Sequence, residues 1–304
     1  KGDIWYNTTT QTLKVAPQVP GTWAAGENAP AAARDMGGFG TTTAAAYFGG
    51  YKAATDADQN TTFEYDGTDY STGGNLPNAR SQLVGFGTLT AGVCVGHSGA
   101  GALTEEYNGS TWAEGGDLNN GRTNGAGCGT LTAGLYMGGA EPAPGSTAIE
   151  EYDGSSWTSN PNSLTTGRNN FAGVGTQTAA FGAGGYSTPP ATLYNNTEEY
   201  DGSAVSSGGD LNTTRKQFKG TGTQTAGVVF GGRVPSATGA TEEYDGSAWT
   251  TQGSMGTARF SFGAGSNSPR NTGVVMCGYT GTADQTATEE YTSGAAGIKS
   301  VDTT

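Results

Sequence analysis

The chain has 304 residues, of which 54 are glycine and 13% are charged, with 14 lysines and arginines against 27 aspartates and glutamates and a formal charge of −13. That balance excludes a nucleic-acid backbone or an anionic membrane surface as partner, because both require clustered cations. So much glycine excludes a helical fold and suits short strands joined by tight turns, while 10% aromatic residues recurring at fixed places exclude disorder.

Residues 1–20 stand apart from the rest of the chain. Ile4–Tyr6 and Leu13–Val15 read as two short strands around a polar turn, a tethering hairpin. The chain opens on Lys1 rather than a methionine, which reads as a piece of something longer. It has no secretory apolar core and no stretch of about 18 apolar residues, so membrane insertion is not expected. Cys94, Cys128 and Cys277 are irregularly spaced and fit no metal motif; they read as small buried hydrophobes.

From residue 21 onward one phrase returns. Glu64-Tyr65-Asp66-Gly67 is followed by Glu106-Tyr107-Asn108-Gly109, Glu151-Tyr152-Asp153-Gly154, Glu199-Tyr200-Asp201-Gly202 and Glu243-Tyr244-Asp245-Gly246, and the phrase decays at Glu290-Tyr291. The tyrosines are 42 to 48 residues apart, the period of a propeller blade. Five residues after each comes a second landmark, Tyr70, Trp112, Trp157, Val205 or Trp249, and an extra copy, Trp23, precedes the first tyrosine. Arginines form a third series: Arg34, Arg80, Arg122, Arg168, Arg215 and Arg259. Glycine pairs such as Gly49-Gly50 and Gly231-Gly232 close an apolar run and form a fourth.

These landmarks divide each unit into four strands. The first follows the arginine and the second ends at the glycine pair. The third ends in Glu-Tyr, and the fourth carries the tryptophan. Asp-Gly between strands three and four is a type I′ hairpin signal. Four antiparallel strands repeated about an axis make a propeller. The expected fold is all-β: a short N-terminal hairpin over 1–20, then six blades over 21–304. For closure, Trp23 is favoured as the missing fourth strand of blade six; the alternative is the segment Ile298–Val301.

The arginine, the glycine pair, the Glu-Tyr-Asp-Gly run and the following tryptophan resemble the kelch repeat family, over about residues 21–295. Kelch repeats have one or two more residues between tyrosine and tryptophan, so this chain reads as a compact variant. The resemblance implies that the repeated residues build the disc. Each arginine is expected to meet a repeated glutamate (Glu106, Glu151, Glu199 or Glu243) on its own or the next blade, because a buried charge needs a partner. The tyrosines and tryptophans are expected to pack between blades with their polar tips hydrogen-bonded.

Catalysis is not expected. The kelch fold includes a copper radical oxidase, but this chain has a single histidine, His97, and copper favours imidazole. Sialidase propellers need three non-equivalent arginines, and outside the repeat only Arg233 and Arg270 remain. No acid–base carboxylate pair, phosphate loop or nucleophile elbow stands out. No metal or cofactor is expected.

Function is expected where the blades differ, in loops held by a rigid scaffold. The connections between strands two and three (51–62, 98–104, 140–149, 186–197, 233–241 and 279–288) share one face. They carry Tyr51, Tyr186, Tyr194, Asn195, Arg233 and Tyr279, with Asp56, Asp58, Glu141, Asn196 and Asp284. Tyrosine with amides and carboxylates suits a sugar or a protein surface. Lys216, Lys219 and Arg233 form the only basic grouping, and read either as a solvated strand face or as a partner contact.

The N-terminal phrase resembles a hairpin common in bacteriophage tail-fibre proteins. The Thr-Gln-Thr-Ala, Phe-Gly-Gly and Glu-Glu-Tyr-Asp-Gly-Ser phrasing resembles kelch-like proteins of marine phages. That implies a virion appendage, tethered to other virion proteins by the lead segment and touching a host-surface glycan or protein receptor. A secreted or cell-surface bacterial adhesion module is the alternative, and a carbohydrate-active enzyme a more remote one.

Overall fold

The computed structural model describes residues 4–7, 12–15, 19–98, 101–140, 145–294 and 299–301. Glu141 and Ile298 lie outside these residues. Among the described residues there is no helix, and so none able to cross a membrane.

Six four-stranded antiparallel sheets are arranged as a six-bladed β-propeller. In blade two the strands run Val84–Thr88, Ala91–His97, Gly101–Tyr107 and Trp112–Glu114. The other blades follow the same order, and the first strands of neighbouring blades meet around the axis. Blade six begins with Gly263–Ala264, Thr272–Met276 and Thr288–Thr292, and takes its fourth strand, Thr22–Ala25, from the other end of the chain, with Trp23 opposite Tyr291. The favoured closure therefore holds. Ile4–Asn7 and Thr12–Val15 pair as the expected hairpin, and Lys299–Val301 pairs with Thr12–Val15 as its third strand rather than entering blade six.

Close approach at the axis requires a residue without a side chain. A Cβ on Gly85 would lie 2.6 Å from the Gly38 carbonyl oxygen, and one on Gly38 would lie 2.7 Å from the Ala264 nitrogen. The blades adhere through apolar clusters that cross the interfaces. One joins Phe39, Phe48 and Leu76 to Leu83, Cys94 and Tyr107; another joins Val84, Phe86 and Val95 to Tyr136, Tyr152 and Trp157. Cys94, Cys128 and Cys277 are buried free thiols, and burial pushes Cys128 and Cys277 up to about 12.

A polar belt reinforces these interfaces. Each repeat tyrosine donates to the glutamate that directly precedes the repeat tyrosine of the preceding blade. Tyr244 reaches Glu199 at 2.7 Å, Tyr291 reaches Glu243 at 2.9 Å and Tyr152 reaches Glu106 at 2.5 Å. Tyr107 pairs with Glu64 and Tyr200 with Glu151. Tyr65 reaches Glu290 at 2.7 Å and closes the ring. Burial, then the neighbouring carboxylate, raises these phenols well above their usual range. The tryptophan indoles donate likewise to a threonine one blade back: Trp112 to Thr62, Trp157 to Thr104, Trp249 to Thr197 and Trp23 to Thr241, at 2.9 to 3.0 Å.

The arginine partners differ from expectation. Arg80, Arg122, Arg168, Arg215 and Arg259 are buried and pair within their own blade with the first glutamate of the Glu-Glu-Tyr run: Glu105, Glu150, Glu198, Glu242 and Glu289. Side chains alternate across a strand. The first glutamate therefore faces its own blade's arginine, and the second (Glu106, Glu151, Glu199, Glu243) faces the neighbouring tyrosine. Arg34 is not the sixth member. Its backbone pairs with Tyr51 as Lys216 pairs with Arg233 and Asn169 with Tyr186, one residue past the arginine position. Ala33 holds that position in blade one, and Phe63 stands where the other blades have the glutamate. Both charges are absent together, as desolvation requires.

The Asp-Gly turns also differ. Tyr65 pairs with Tyr70, which leaves four residues in the turn. Only the glycine has positive φ, at 97° for Gly67. The aspartate instead accepts from the backbone N–H groups two and three residues on, an Asx arrangement. In blade three the Ser156 N–H, then Ser155, hold the Asp153 carboxyl at about 2 against an ordinary 3.8; Asp66, Asp201 and Asp245 are lowered too. A carboxyl that is more acidic when folded contributes stability above its unfolded value and loses it as pH falls through the folded one. The unfolding temperature is therefore expected to drop between about pH 4 and pH 2. Asp153→Asn, Asp201→Asn and Asp245→Asn together should flatten that drop in thermal melts, since Asn108 already makes the same turn uncharged. An unchanged pH profile in the triple variant would refute the assignment.

Candidate functional site

The loops from strand two to strand three and the entries to strand one open on the same face. In blades one, four and five these loops fold into small ribbons: Tyr51–Lys52 with Ala57–Asp58, Tyr186–Ser187 with Thr192–Leu193, and Arg233–Val234 with Ser236–Ala237. Each begins just after the glycine pair, so Tyr51, Tyr186, Arg233 and Tyr279 hold equivalent positions, each opposite the residue that comes after the repeat-arginine position.

That register brings cations onto rings. The Lys216 ammonium lies 3.6 Å from the centre of the Tyr186 ring, and the Arg233 guanidinium 4.9 Å from that of Phe260. Phe260 meets Tyr279 edge-on at 5.4 Å. Arg34 lies between Tyr279 and Tyr51, 4.3 and 4.9 Å from their centres. The result is an arc of cations and aromatic rings over blades four, five, six and one, half-exposed except for the buried Phe260. Cation–π contacts of this kind hold both partners in place. Asp284 anchors the arc by accepting from Arg34 at 3.3 Å and from the Ala53 N–H at 2.9 Å. Tyr51 donates to Asp56, a bond that raises its phenol. Burial, then the Arg233 charge, lowers Lys216. Blades two and three carry Ser81, Thr123 and Ala140 at these positions, so the arc is one-sided.

Tyr194 and Asn195 make other contacts, and the Arg168 guanidinium lies 5.5 Å from the centre of the Tyr194 ring. The Tyr194 hydroxyl is 2.8 Å from Ser187 Oγ, and the Asn195 amide donates to the Leu211 carbonyl at 3.4 Å, holding the strand-four exit.

Inside the arc is a ring of polar residues that the repeat pattern alone does not single out. Asp35, Gln82, Asn124, Asn170, Gln217 and Ser261 stand at one repeat position, all with φ between 54° and 61°. Asp35 donates its N–H to the Ser261 carbonyl, Gln82 to Asp35, Asn170 to Asn124, Gln217 to Asn170 and Ser261 to Gln217, at 2.7 to 3.1 Å. Left-handed backbone at a non-glycine residue costs about 1–3 kcal/mol, and this hydrogen-bonded ring compensates it. The ring surrounds a cavity of about 30 Å³, with a second of about 20 Å³ below it, and Lys219 lines both. The signal is present in the sequence: a polar residue two places past each of the five buried arginines, as in Arg168-Asn169-Asn170 and Arg215-Lys216-Gln217.

Comparison with protein-family models and with curated proteins finds no match.

Proposed function

We propose that this chain is a non-catalytic recognition module, carried as an appendage of a virus particle, that presents its loop face to a glycan or protein on the host surface. The observation that supports it is the arc from Tyr186 through Lys216, Arg233, Phe260 and Tyr279 to Arg34 and Tyr51. It concentrates cations and aromatic faces on one side of a chain whose net charge is −13. Aromatic faces stack on sugar rings and amphipathic anchors, and rigid placement lowers the entropic cost of binding. The kelch-like repeat and the phage-like hairpin phrase support the virion setting, with the N-terminal sheet as the mount.

The test is binding of the purified chain to a glycan array and to bacterial cells. Tyr279→Ala with Lys216→Ala should reduce binding more than 10-fold, about 1.4 kcal/mol or more, without lowering the unfolding temperature. Retention of full binding by this double variant would move the interface off the arc. Turnover of any bound glycan would overturn the non-catalytic reading.

A further inference from the structure

Residues that build a propeller recur in every blade, so a residue that departs from the repeat in one blade needs another reason. Two departures meet at the axis. Two places past the polar ring, five blades carry Gly37, Val84, Ala126, Ala172 and Gly263, whereas blade five carries Lys219. In the ring itself five members are uncharged and blade one carries Asp35. Lys219 stands on the innermost strand of its blade, partly buried and lining both cavities, and among the described residues its ammonium makes no ion pair. A partly buried charge with no ion-pair contact, and Asp35 only across the same cavity, is a mark of functional sites. Gln217 Oε1 on the same wall is also buried without a hydrogen-bond partner.

The geometry points to a carboxylate site in the axial mouth: Lys219 provides the counter-charge for the acid group of a uronic or similar acidic sugar whose ring lies above, on the arc. This rests on the loop face being a glycan-binding face. The cavity of about 30 Å³ holds about two water-sized groups, the size of the two oxygens of a carboxylate. Gln217 Oε1 accepts from a ligand hydroxyl, and the remaining amides of the ring offer neutral polar contacts. Asp35, with Arg34 and Asp284 behind it, limits the mouth to a single negative group. Lys216 and Arg233 stand at the rim of the same blade. Burial already draws Lys219 down to about 8, with Asp35 opposing, so a bound carboxylate stabilises the protonated form.

The experiment measures binding of D-glucuronate and D-glucose by calorimetry, and acetate-dependent titration of Lys219 by side-chain carbon NMR. Glucuronate should bind at least 10-fold tighter than glucose at pH 7, and the preference should fade as pH rises past the lysine's titration. Lys219→Met, which places an apolar side chain as in Val84, should keep the unfolding temperature and abolish the preference. Acetate should raise the Lys219 titration midpoint in the unmutated chain, a readout that stands even if the variant fails to fold. Equal affinity for the two sugars, a preference that survives in Lys219→Met, or a titration unmoved by acetate overturns the carboxylate site. Neutral glycans bound on the array with no acid preference would leave the face reading intact and remove only this inference.

Discussion

Replacing Arg122 by alanine is expected to lower the unfolding free energy by about 3–5 kcal/mol, the cost of leaving a buried carboxylate without its partner. Arg122 and Glu150 are each 1% exposed and 3.0 Å apart. Glu150 also accepts from the Asn119 N–H at 2.8 Å, so the arginine, the glutamate and the strand entry form one unit. Blade one already contains the apolar alternative. Pro30, Ala33 and Phe63 stand where blade three has Asn119, Arg122 and Glu150, and proline brings no N–H that needs an acceptor. Tyr47, which stacks on Phe63 at 5.2 Å, has its counterpart in Tyr136. Transplanting the set as Asn119→Pro, Arg122→Ala and Glu150→Phe should therefore restore most of what Arg122→Ala alone loses, because buried ion pairs and well-packed apolar groups exchange at little cost. Denaturant titration of both variants decides it. A triple variant no more stable than the single one would show that the ion pair does something that apolar packing cannot.

Removing the strand Thr22–Ala25 is expected to open the ring. Thr288–Thr292 would keep Thr272–Met276 but lose its other neighbour and present an unpaired edge, which favours association with other chains. Trp23 packs edge-on against Phe230 at 5.3 Å and beside Tyr291, and its indole reaches Thr241 and Gly253 at 3.0 and 3.1 Å. Trp23→Ala should cost about 3 kcal/mol, the low end for a large aromatic, because the residue is half-exposed. Deleting residues 1–26 should cost more and increase association between chains, as read by light scattering and thermal melts. Trp112→Ala is the control, since it removes the equivalent ring from a blade whose four strands are continuous in sequence. A deletion variant with unchanged scattering and an unchanged melt would show that closure through the chain ends contributes little.

Much of the architecture was legible because repetition reveals it. Tyrosines, tryptophans and glycine pairs at a steady period specify four strands per blade, and Trp23 betrays the closure by standing alone before the first tyrosine. The failures have a common cause. Arg34 matched a residue type but not the register; only backbone pairing with Tyr51 shows that Ala33 holds the arginine position. Glu105 and Glu106 are neighbours in sequence with opposite destinations, and strand alternation assigns them only once the blade to which each face turns is known. The Asp-Gly turn was read from its dipeptide, whereas the pairing of Tyr65 with Tyr70 sets its length. Among the loop residues singled out in the sequence, Tyr51, Tyr186, Arg233 and Tyr279 converge because equivalent register positions converge on the axis, while Tyr194 and Asn195 serve the loops that carry them.

The sequence by itself determined the strand pattern, the number of blades and which residues recur, because those depend on periodicity along the chain. Only the tertiary structure decided which charges meet, which rings the cations cover and that Lys219 lines the cavity at the axis. Those relations join residues from different blades, and the distance between two blades around a closed ring is set by packing rather than by separation along the chain.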